Sequence, residues 1–412
     1  MKRFWNVVSV VAIVFEGIFL YGISIGMPNF LDLLRDNGIF SQDCGQANAT
    51  MSSPPCTTQD TQLSALGTLA VVASNVSGVL IGVIYDRYGT MVTRLIISTS
   101  VIIGLLLVAF SPEVNWLLYP GMIFWFTGTT SAVIPNMALG QLFPSLQVLV
   151  MTWSYAVMFL SGVTFRVWRL MFEAGLSFRN ICLINIAYMM VFNMRTFFLM
   201  PTDWITPENA AKGIINMTPF TGCRQLKKLW QPAEKRQHNH RQYIRQSLMH
   251  VFSLEYVLFV FWTVISFMGH INVSMTFLQY TQTITPNGFR KYIDFYGEMS
   301  LISAPIAILS ALIIDFYVRR RHSALSVASQ FRTKVKAIGL MAFLSVTMSS
   351  ARTALQWTME EEYINLSTVL TFIGVPMLMG QQSTFIRCNY PIEFFGVLSG
   401  LVRSMMSLSS CL

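Results

Sequence analysis

The sequence predicts an all-α polytopic membrane protein, and three observations support this fold class. Hydrophobic residues make up 53% of the 412 residues, only 11% are charged, and the mean hydropathy is +0.53. A soluble domain usually has about a quarter of its residues charged. Many apolar residues come in runs of about 20, which as helices would cross the ~30 Å hydrocarbon core of a bilayer. The net charge of +9 reflects basic residues clustered between these runs, so topology explains it better than nucleic-acid binding does.

Eleven apolar segments are predicted to span the membrane. They cover residues 5–31, 63–85, 92–110, 116–139, 148–171, 181–200, 251–280, 295–316, 337–357, 366–385 and 394–412. A polar stretch separates the first six from the last five. We therefore predict an N-terminal six-helix bundle over residues 1–200, a basic linker over 201–250 and a C-terminal bundle over 251–412.

The positions of Lys and Arg predict which connections face the cytoplasm. Basic residues gather at the N-terminus, between the second and third spans, in the linker and between the eighth and ninth spans. The linker contributes Lys212, Arg224, Lys227, Lys228, Lys235, Arg236, Arg241 and Arg245. Connections on the other face, such as "SPEVN" after the third span and "MEEEY" after the ninth, are neutral or acidic. We therefore expect a multi-pass protein of the plasma membrane with a cytoplasmic N-terminus and linker.

The connection at residues 32–62 is predicted to be a large outer loop. It holds Cys44 and Cys56, which can form a disulfide on that face, and Asn48 in an Asn-Ala-Thr sequon that can be glycosylated. The alternative is that both features are chance occurrences in a polar loop. The remaining four cysteines are expected to be free thiols. The sequence has no metal-ligand spacing, phosphate-binding glycine loop or nucleophile motif, so we expect neither a cofactor nor an enzyme.

The most specific local motif is "GVIYDRYGT", residues 82–90, at the inner end of the second span. Gly82 permits a neighbouring helix to approach, and Asp86 lies one turn later on the same face. Asp86 can then meet a cationic side chain or a helix N-terminus, while Arg87 faces headgroups and Gly89 permits a tight turn. These features predict a latch for the inner gate. An ordinary helix end with charges reaching into the headgroups is the alternative.

A second copy of this motif supports the gate hypothesis. "SALIIDFYVRRR" ends the eighth span with Asp315 followed by basic residues, although Ala311 takes the glycine position. Two halves that each end their second span with an acidic residue suggest parallel repeats related by an axis normal to the membrane.

Short motifs along the whole chain resemble the major facilitator superfamily. They most resemble the branch that contains the sodium-independent L-type large neutral amino acid transporters and the equilibrative nucleobase transporter. The motifs are "GMP" (26–28) at its spacing after Glu16, "DRYGTMVTRL" (86–95), "FEAGLSF" (172–178), "RTFFLMP" (195–201), "FMGHIN" (267–272) and "YPIEFFGVLSGL" (390–401). "RTFFLMP" is most similar to the nucleobase member and "FMGHIN" to the amino-acid members. The resemblance implies two six-helix repeats with a central cavity lined by the first, fourth, seventh and tenth spans.

The chain departs from that family pattern in two ways. Val375 stands in the tenth span where the family pattern places an arginine. A twelve-helix fold also needs one more span than the eleven found here, so we expect a truncated C-terminal half. This second departure leaves a non-transporting paralogue with a regulatory role as the alternative to a transporter.

Glu16 is the first candidate for the substrate site, because a carboxylate within an apolar span is costly unless it faces the bundle interior or water. Three roles are open: contact with substrate, a structural carboxylate paired to a neighbouring helix, or a proton carrier whose pKa is raised by desolvation. The next candidates are Asn136 of the fourth span and Gly269, His270 and Asn272 of the seventh.

Four other polar residues in the spans are weaker candidates. Gln381 and Gln382 of the tenth span have the right depth but no motif around them. Arg166 and Arg169 near the outer end of the fifth span are expected to extend their cations to the headgroups.

Together, these features predict a facilitative, sodium-independent transporter that works by alternating access on a small neutral organic solute. Large neutral amino acids are the first substrate hypothesis and purine nucleobases the second. Glu16 is the one feature that leaves proton coupling open.

Overall fold

The computed structural model describes residues 2–20, 26–41, 57–143, 146–198, 200, 240–286, 288–322 and 327–408. These residues are almost entirely helical. The α-helices are α1 (Lys2–Leu20), α2 (Met27–Asp36), α3 (Thr57–Ala109), α4 (Leu118–Ser131), α5 (Val133–Met137), α6 (Gln147–Phe159), α7 (Ser161–Glu173), α8 (Phe178–Phe198), α9 (His240–Val251), α10 (Leu254–Ile284), α11 (Phe289–His322), α12 (Val327–Trp357), α13 (Glu362–Asn389) and α14 (Phe395–Leu408). Short 3-10 turns occur at Asn115–Leu117, Ala138–Leu142 and Ile392–Phe394.

Within the described residues, the predicted spans fall mostly on helices. Within the described part of the chain, seven helices are long and apolar enough to cross a membrane, or eight if the bent pair α9 and α10 counts as one span. The longest, α3, has 53 residues and contains the second and third predicted spans on either side of a break at Gly89. Two shorter apolar helices, Val7–Ile18 and Phe395–Met406, coincide with the first and eleventh predicted spans.

The first predicted span, residues 5–31, contains two described helices. Helix α1 is described to Leu20, and a separate helix, α2, begins at Met27 after the non-helical N-cap Gly26; residues 21–25 lie outside the described part of the chain. Pro28 lies in the first turn of α2, where its missing N–H has no helical partner to lose. In a helix interior the same proline would remove a backbone hydrogen bond, so its position favours a helix start.

An aromatic cluster joins four helices of the first half, where the first half means α1 to α8. The Phe30 ring centroid lies 5.4 Å from that of Trp125 and 5.0 Å from that of Phe165. Trp125 stacks on Trp168 at 5.6 Å, and Phe178 completes the cluster at 6.4 Å from Phe30. These rings join α2, α4, α7 and α8 and so set the position of the polar groups at their ends.

The second half, α10 to α14, packs closely against the first. A Cβ added at Gly162 of α7 would lie 2.7 Å from the Ser300 side chain of α11. A Cβ added at Gly380 of α13 would likewise lie 2.7 Å from the Thr152 side chain of α6. Small residues at these positions permit the two halves to approach along their length.

Within the second half, α12 and α13 are joined by a hydrogen bond from the Ser345 hydroxyl to the Gly374 carbonyl, 2.8 Å long. A groove of about 640 Å³ lies between α10, α12 and α13, with Phe259, Trp262 and Phe385 in its wall. The predicted division at residues 201–250 falls mostly outside the described residues, so the linker's bounds stay a prediction.

Candidate functional site

Glu16 lies on α1 inside the first half, with 2% of its surface exposed. One carboxylate oxygen pairs with the guanidinium of Arg94 on α3, and the other pairs with that of Arg195 on α8. The amide of Asn136 on α5 donates to the second oxygen at 3.4 Å. The carboxylate is therefore held by three helices other than its own.

The two arginines have further partners that extend this cluster. Arg94 donates to the Asn136 side-chain oxygen at 3.0 Å and to the Thr196 hydroxyl at 2.9 Å. Arg195 donates to the backbone carbonyl of Ser9 at 2.9 Å. All of these groups belong to the first half. Because a buried carboxylate with two cationic partners is satisfied without any ligand, the contacts favour the structural role among the three proposed for Glu16.

Sequence reasoning paired Glu16 with no cation. The criterion that identifies Glu16, a charged residue within an apolar segment, also identifies its two partners. Arg94 and Arg195 are charged residues within apolar segments, where an intramembrane charge usually has a partner of opposite sign. Both arginines lie within the motifs "DRYGTMVTRL" and "RTFFLMP", so the sequence already contains candidates for this pairing. Four charged or polar residues spread over 180 positions come together only in the fold.

The other predicted substrate residues divide into those the structure describes and those it does not. Asn136 lies beside Glu16, as above. Helix α10 passes through Gly269, His270 and Asn272, but their side chains lie outside the described set, so their role stays a prediction. Gln381 lines the groove between α10, α12 and α13, is 3% exposed, and has no hydrogen-bond partner for its amide among the described residues.

Asp86 lies at the N-terminus of α14. Its two carboxylate oxygens accept hydrogen bonds from the backbone N–H groups of Gly396 (2.9 Å) and Val397 (2.8 Å). The hydroxyl of Tyr243 on α9 also donates to Asp86, at 3.2 Å. Of the two partners expected for Asp86, the structure contains the helix N-terminus, where exposed N–H groups and the helix dipole favour a negative charge.

The glycines of this motif occupy the positions that require glycine. A Cβ on Gly82 would overlap the backbone carbonyl of Gly396, so α3 and α14 touch backbone to backbone at this point. Gly78 and Gly400 form a second such contact one turn away. Gly89 has φ +80° and breaks α3 where the chain turns back, a conformation that other residues rarely adopt.

The remaining members of the predicted gate differ in how far the structure describes them. Arg87 is exposed, and its guanidinium lies 5.8 Å from the ring centroid of Tyr243. The side chain of Asp315 on α11 lies outside the described residues, so the second acidic gate residue stays a prediction. Ala311, at the glycine position of that copy, is buried beside Ala337 of α12.

A second polar cluster lies at the opposite end of the bundle. Asp60 and Asp86 are on the same leg of α3 and are 26 positions apart (86 − 60), which as a helix is about 39 Å. Arg35 pairs with Asp60 at 3.7 Å. Asp36, the neighbour of Arg35 on α2, accepts from Arg290 of α11 at 2.7 Å, which is an ion pair between the two halves.

The two arginines of the fifth span belong to this second cluster. Arg169 pairs with Asp32, with Asp36 at 3.4 Å and with Glu173 at 2.9 Å, and it is 6% exposed. Arg166 pairs with Asp294 of α11 at 2.6 Å, again between the halves, and both side chains are partly exposed. The prediction that Arg169 extends to the headgroups is therefore wrong, whereas that for Arg166 stays a prediction. Apart from Glu173, the carboxylate partners come from α2 and α11, which are distant in the sequence.

A further arginine joins the halves within the bundle. Arg403 on α14 donates to the backbone carbonyl of Thr130 on α4 at 2.8 Å and to the Tyr155 hydroxyl on α6 at 2.7 Å. The next residue, Ser404, donates to the carbonyl of Asn75 on α3 at 2.8 Å. Sequence reasoning missed Arg403, although a cation inside the eleventh span meets the same criterion as Glu16.

Two predictions concern residues that lie outside the described part of the chain. They are the disulfide between Cys44 and Cys56 and the glycosylation of Asn48. Both stay predictions. Cys182, expected to be a free thiol, is buried and unpaired in α8.

Comparison with solved structures defines the class of protein. The chain superposes on the major facilitator superfamily proton:xylose symporter XylE with a TM-score of 0.63, over 100% of this chain and 87% of that one, at 12% identity. It superposes on the human organic anion transporter MFSD10 with a TM-score of 0.59, over 99% and 91% of the two chains, also at 12% identity. The chain therefore has the major facilitator fold. No protein-family model matches it.

Curated relatives give a finer comparison. The equilibrative nucleobase transporter 1 of Bos taurus is 23% identical over 439 residues, which covers 99% of this chain and 88% of that protein. Arginine transporter 1 of Toxoplasma gondii is 27% identical over 212 residues, and the human large neutral amino acids transporter small subunit 3 is 27% identical over 194. These two matches span only 38% and 33% of the relatives' lengths.

The fold and these relatives together indicate a multi-pass membrane transporter of the major facilitator type. The proteins that the chain resembles are transporters rather than enzymes.

Proposed function

We propose that this protein moves a small, largely neutral organic solute across the membrane by alternating access, without coupling to sodium. The observation that carries the proposal is the pair of polar contacts between the halves at opposite ends of the bundle. Asp86 binds the N-terminus of α14 at one end, and Arg290 and Arg166 bind carboxylates across the interface at the other. Hydrogen bonds and partly exposed ion pairs can break and re-form, so each end has contacts that suit a gate.

We propose a large neutral amino acid as the substrate. Two of the three relatives described above are named as amino acid transporters, and they align with higher identity than the third. On this proposal Asn272, Gly269 and His270 of α10 contact the solute, whereas Glu16 and Asn136 hold the first half rigid beside it. The motif "FMGHIN" that contains the α10 residues supports this assignment.

A purine nucleobase is the second candidate. The specific observation in its favour is that the bovine nucleobase transporter aligns with 99% of this chain, whereas the amino acid transporters align with half or less. The motif "RTFFLMP" supports the same candidate.

Uptake of leucine and adenine, measured in the same cells, tests these proposals. Cells that express the chain are compared with cells that carry an empty vector, and the amount of protein at the surface is measured in both. We expect saturable leucine uptake that is unchanged when sodium is replaced by choline. Adenine uptake alone would favour the second candidate, and sodium dependence would overturn the uncoupled mechanism. If the protein reaches the surface but takes up neither leucine nor adenine, the result favours the non-transporting paralogue.

A matched variant links the uptake to the proposed site. Asn272→Ala removes a hydrogen-bonding side chain from α10 at the predicted cavity position, and Asn389→Ala removes the same side chain from the end of α13. We expect the first variant to raise KM or abolish uptake and the second to leave KM unchanged. Equal effects of the two variants would contradict the assignment of Asn272.

A further inference from the structure

Helix α9 leaves the end of a membrane span at a steep angle. The axes of Gln242–Val251 and Leu254–Phe267 differ by 62°. The Ser253 hydroxyl accepts a hydrogen bond from the backbone N–H of Tyr256, 3.4 Å away, and so caps α10 as a separate helix. Helix α10 has 31 residues, enough to cross the hydrocarbon core without α9. With α10 as the predicted seventh span, the 62° bend brings α9 closer to the plane of the bilayer than to its normal.

One face of α9 packs on the gate elements. The Tyr243 hydroxyl donates to Asp86, and the Tyr243 ring lies 5.3 Å from that of Phe394, which precedes α14. The His250 ring lies 5.2 Å from the Phe394 ring and 5.8 Å from that of Tyr390. Helix α9 therefore contacts both partners of the latch, the carboxylate on α3 and the start of α14.

The opposite face of α9 is apolar and exposed. Ile244, Leu248 and Phe252 follow one another at intervals of four residues and are 42%, 48% and 76% exposed, and Met249 beside them is 64% exposed. Residues four apart lie above one another on a helix, so these side chains form one stripe. Arg245 is also exposed and lies four residues before Met249, so its side chain leaves the helix from the same face.

We propose that this stripe inserts into the membrane leaflet on the Asp86 face and that Arg245 binds anionic phospholipid headgroups there. A helix with an exposed apolar stripe and a long cationic side chain that can reach the headgroups, held at a steep angle to the following span, has the form of an interfacial helix. The charge on this face is complementary to anionic lipid, since Arg87 is also exposed beside Tyr243 and the preceding linker sequence is basic. Lipid binding then stabilises α9 against Asp86 and α14 and so favours the latched gate. This last step rests on the proposed function.

Photo-crosslinking tests the position of α9 without any need for transport. The full chain is purified with p-benzoylphenylalanine at Leu248 on the exposed stripe or, as the control, at the buried Ser247 next to it. Each protein is reconstituted in vesicles of phosphatidylcholine with phosphatidylserine and irradiated. We expect phospholipid adducts by mass spectrometry at position 248 and several-fold fewer at position 247. Equal yields at both positions, or a crosslink from 248 to protein alone, would overturn the proposal.

Lipid dependence tests the coupling to the gate. Solute exchange is compared in phosphatidylcholine vesicles with and without phosphatidylserine, for the wild type and for Arg245→Gln. We expect a several-fold slower exchange with phosphatidylserine in the wild type, and a loss of most of that difference in the variant and at high salt. If crosslinking succeeds but exchange does not depend on phosphatidylserine, the coupling is overturned while the membrane contact stands. If no exchange occurs in any vesicle, the proposed function fails while the crosslinking result still decides the position of α9.

Discussion

Glu16 shows how a single carboxylate can organise the interior of a membrane bundle. Its two oxygens meet guanidinium groups on two other helices, and an amide on a third completes the set. Such a cluster is stabilising only while all of its members are present, because removing one partner leaves a buried charge uncompensated. A charged residue in an apolar span therefore indicates partners of opposite charge on other helices as much as it indicates a substrate site.

The first prediction concerns Glu16→Gln. We expect a loss of about 3–5 kcal/mol of stability, since the neutral amide leaves Arg94 and Arg195 without their carboxylate. Thermal unfolding of the purified protein and its surface expression should both fall, and uptake should fall in proportion to expression. Glu255→Gln, a change at an exposed carboxylate on α10, is the control. A large fall in uptake per molecule with unchanged thermal stability would instead support a substrate-binding role.

The second prediction concerns Asp36 and pH. Burial raises the pKa of Asp36 above its ordinary value of 3.8, and the nearby carboxylate of Asp32 raises it further, whereas Arg290, Arg169 and Arg35 lower it. The folded protein therefore binds a proton at Asp36 more tightly than a solvated carboxyl does. By linkage, the contribution of Asp36 to the free energy of unfolding rises as the pH falls towards and below the raised pKa.

We accordingly expect Asp36 to raise the free energy of unfolding as the pH falls into the range of carboxyl titration. Thermal unfolding is measured against pH for the wild type and for Asp36→Asn. The variant carries no titratable group at this position, so part of the pH dependence should disappear. The same pH profile in both proteins would show that other groups are responsible.

At the scale of elements, the contact between α3 and α14 depends on glycine more than on charge. Gly82 and Gly396 face each other with no room for a Cβ on either, and one turn away Gly400 has no room for a Cβ against the Gly78 carbonyl. Close approach of the backbones brings the N–H groups at the start of α14 within reach of Asp86, whose side chain is short. The glycines and the carboxylate therefore act together, and the spacing of four residues in the motif has this geometric reason.

The third prediction follows from that contact. Gly82→Ala should push α14 away from α3 and lengthen the hydrogen bonds to Asp86, because the added methyl group would overlap the Gly396 carbonyl. We expect a fall in melting temperature and a change in exchange rate in the same direction as that caused by Asp86→Asn. Gly339→Ala on α12 is the matched control, since a Cβ there would have nothing within 4 Å. Wild-type behaviour of Gly82→Ala would contradict the close contact.

At the scale of the molecule, the two halves are joined at both ends and between them. Asp86 binds α14 at one end, Arg403 binds the first half from within α14, and ion pairs to α11 join the halves at the other end. Alternating access requires the two ends to open in turn, so contacts at one end must weaken while those at the other hold. The exposed ion pairs are individually weak, which suits groups that must separate repeatedly.

The fourth prediction concerns the pair Arg166 and Asp294. Both side chains are partly exposed, so we expect the pair to contribute at most about 1 kcal/mol and its loss to change exchange by no more than about fivefold. Arg166→Asp should speed opening of this end, measured as faster exchange or as greater access of a water-soluble thiol reagent to a cysteine placed beneath it. The double variant Arg166→Asp with Asp294→Arg restores opposite charges and should return towards the wild type. Failure of the second change to compensate for the first would argue against a direct pair.

The sequence by itself determined the fold class and the approximate positions of the spans, and it limited the partner of Asp86 to two kinds. Apolar runs of bilayer length and sparse charge are local properties of the chain, so they predict membrane helices without knowledge of the packing. The motif around Asp86 predicts a cation or a helix N-terminus as partner, because the glycine, the acid and the turn residue are close in sequence and act on one helix face. The apolar run itself does not indicate the helix start at Met27, which only Pro28 marks.

Only the tertiary structure decided which distant charges meet. Arg94 and Arg195 reach Glu16 from 78 and 179 residues away, and Arg166 and Arg169 find their carboxylates on α2 and α11. Sequence pattern records which residues face the interior of a bundle but not which helices are neighbours across it. The partner of a buried charge depends on helix order and rotation, and these are set by the packing of all the helices together.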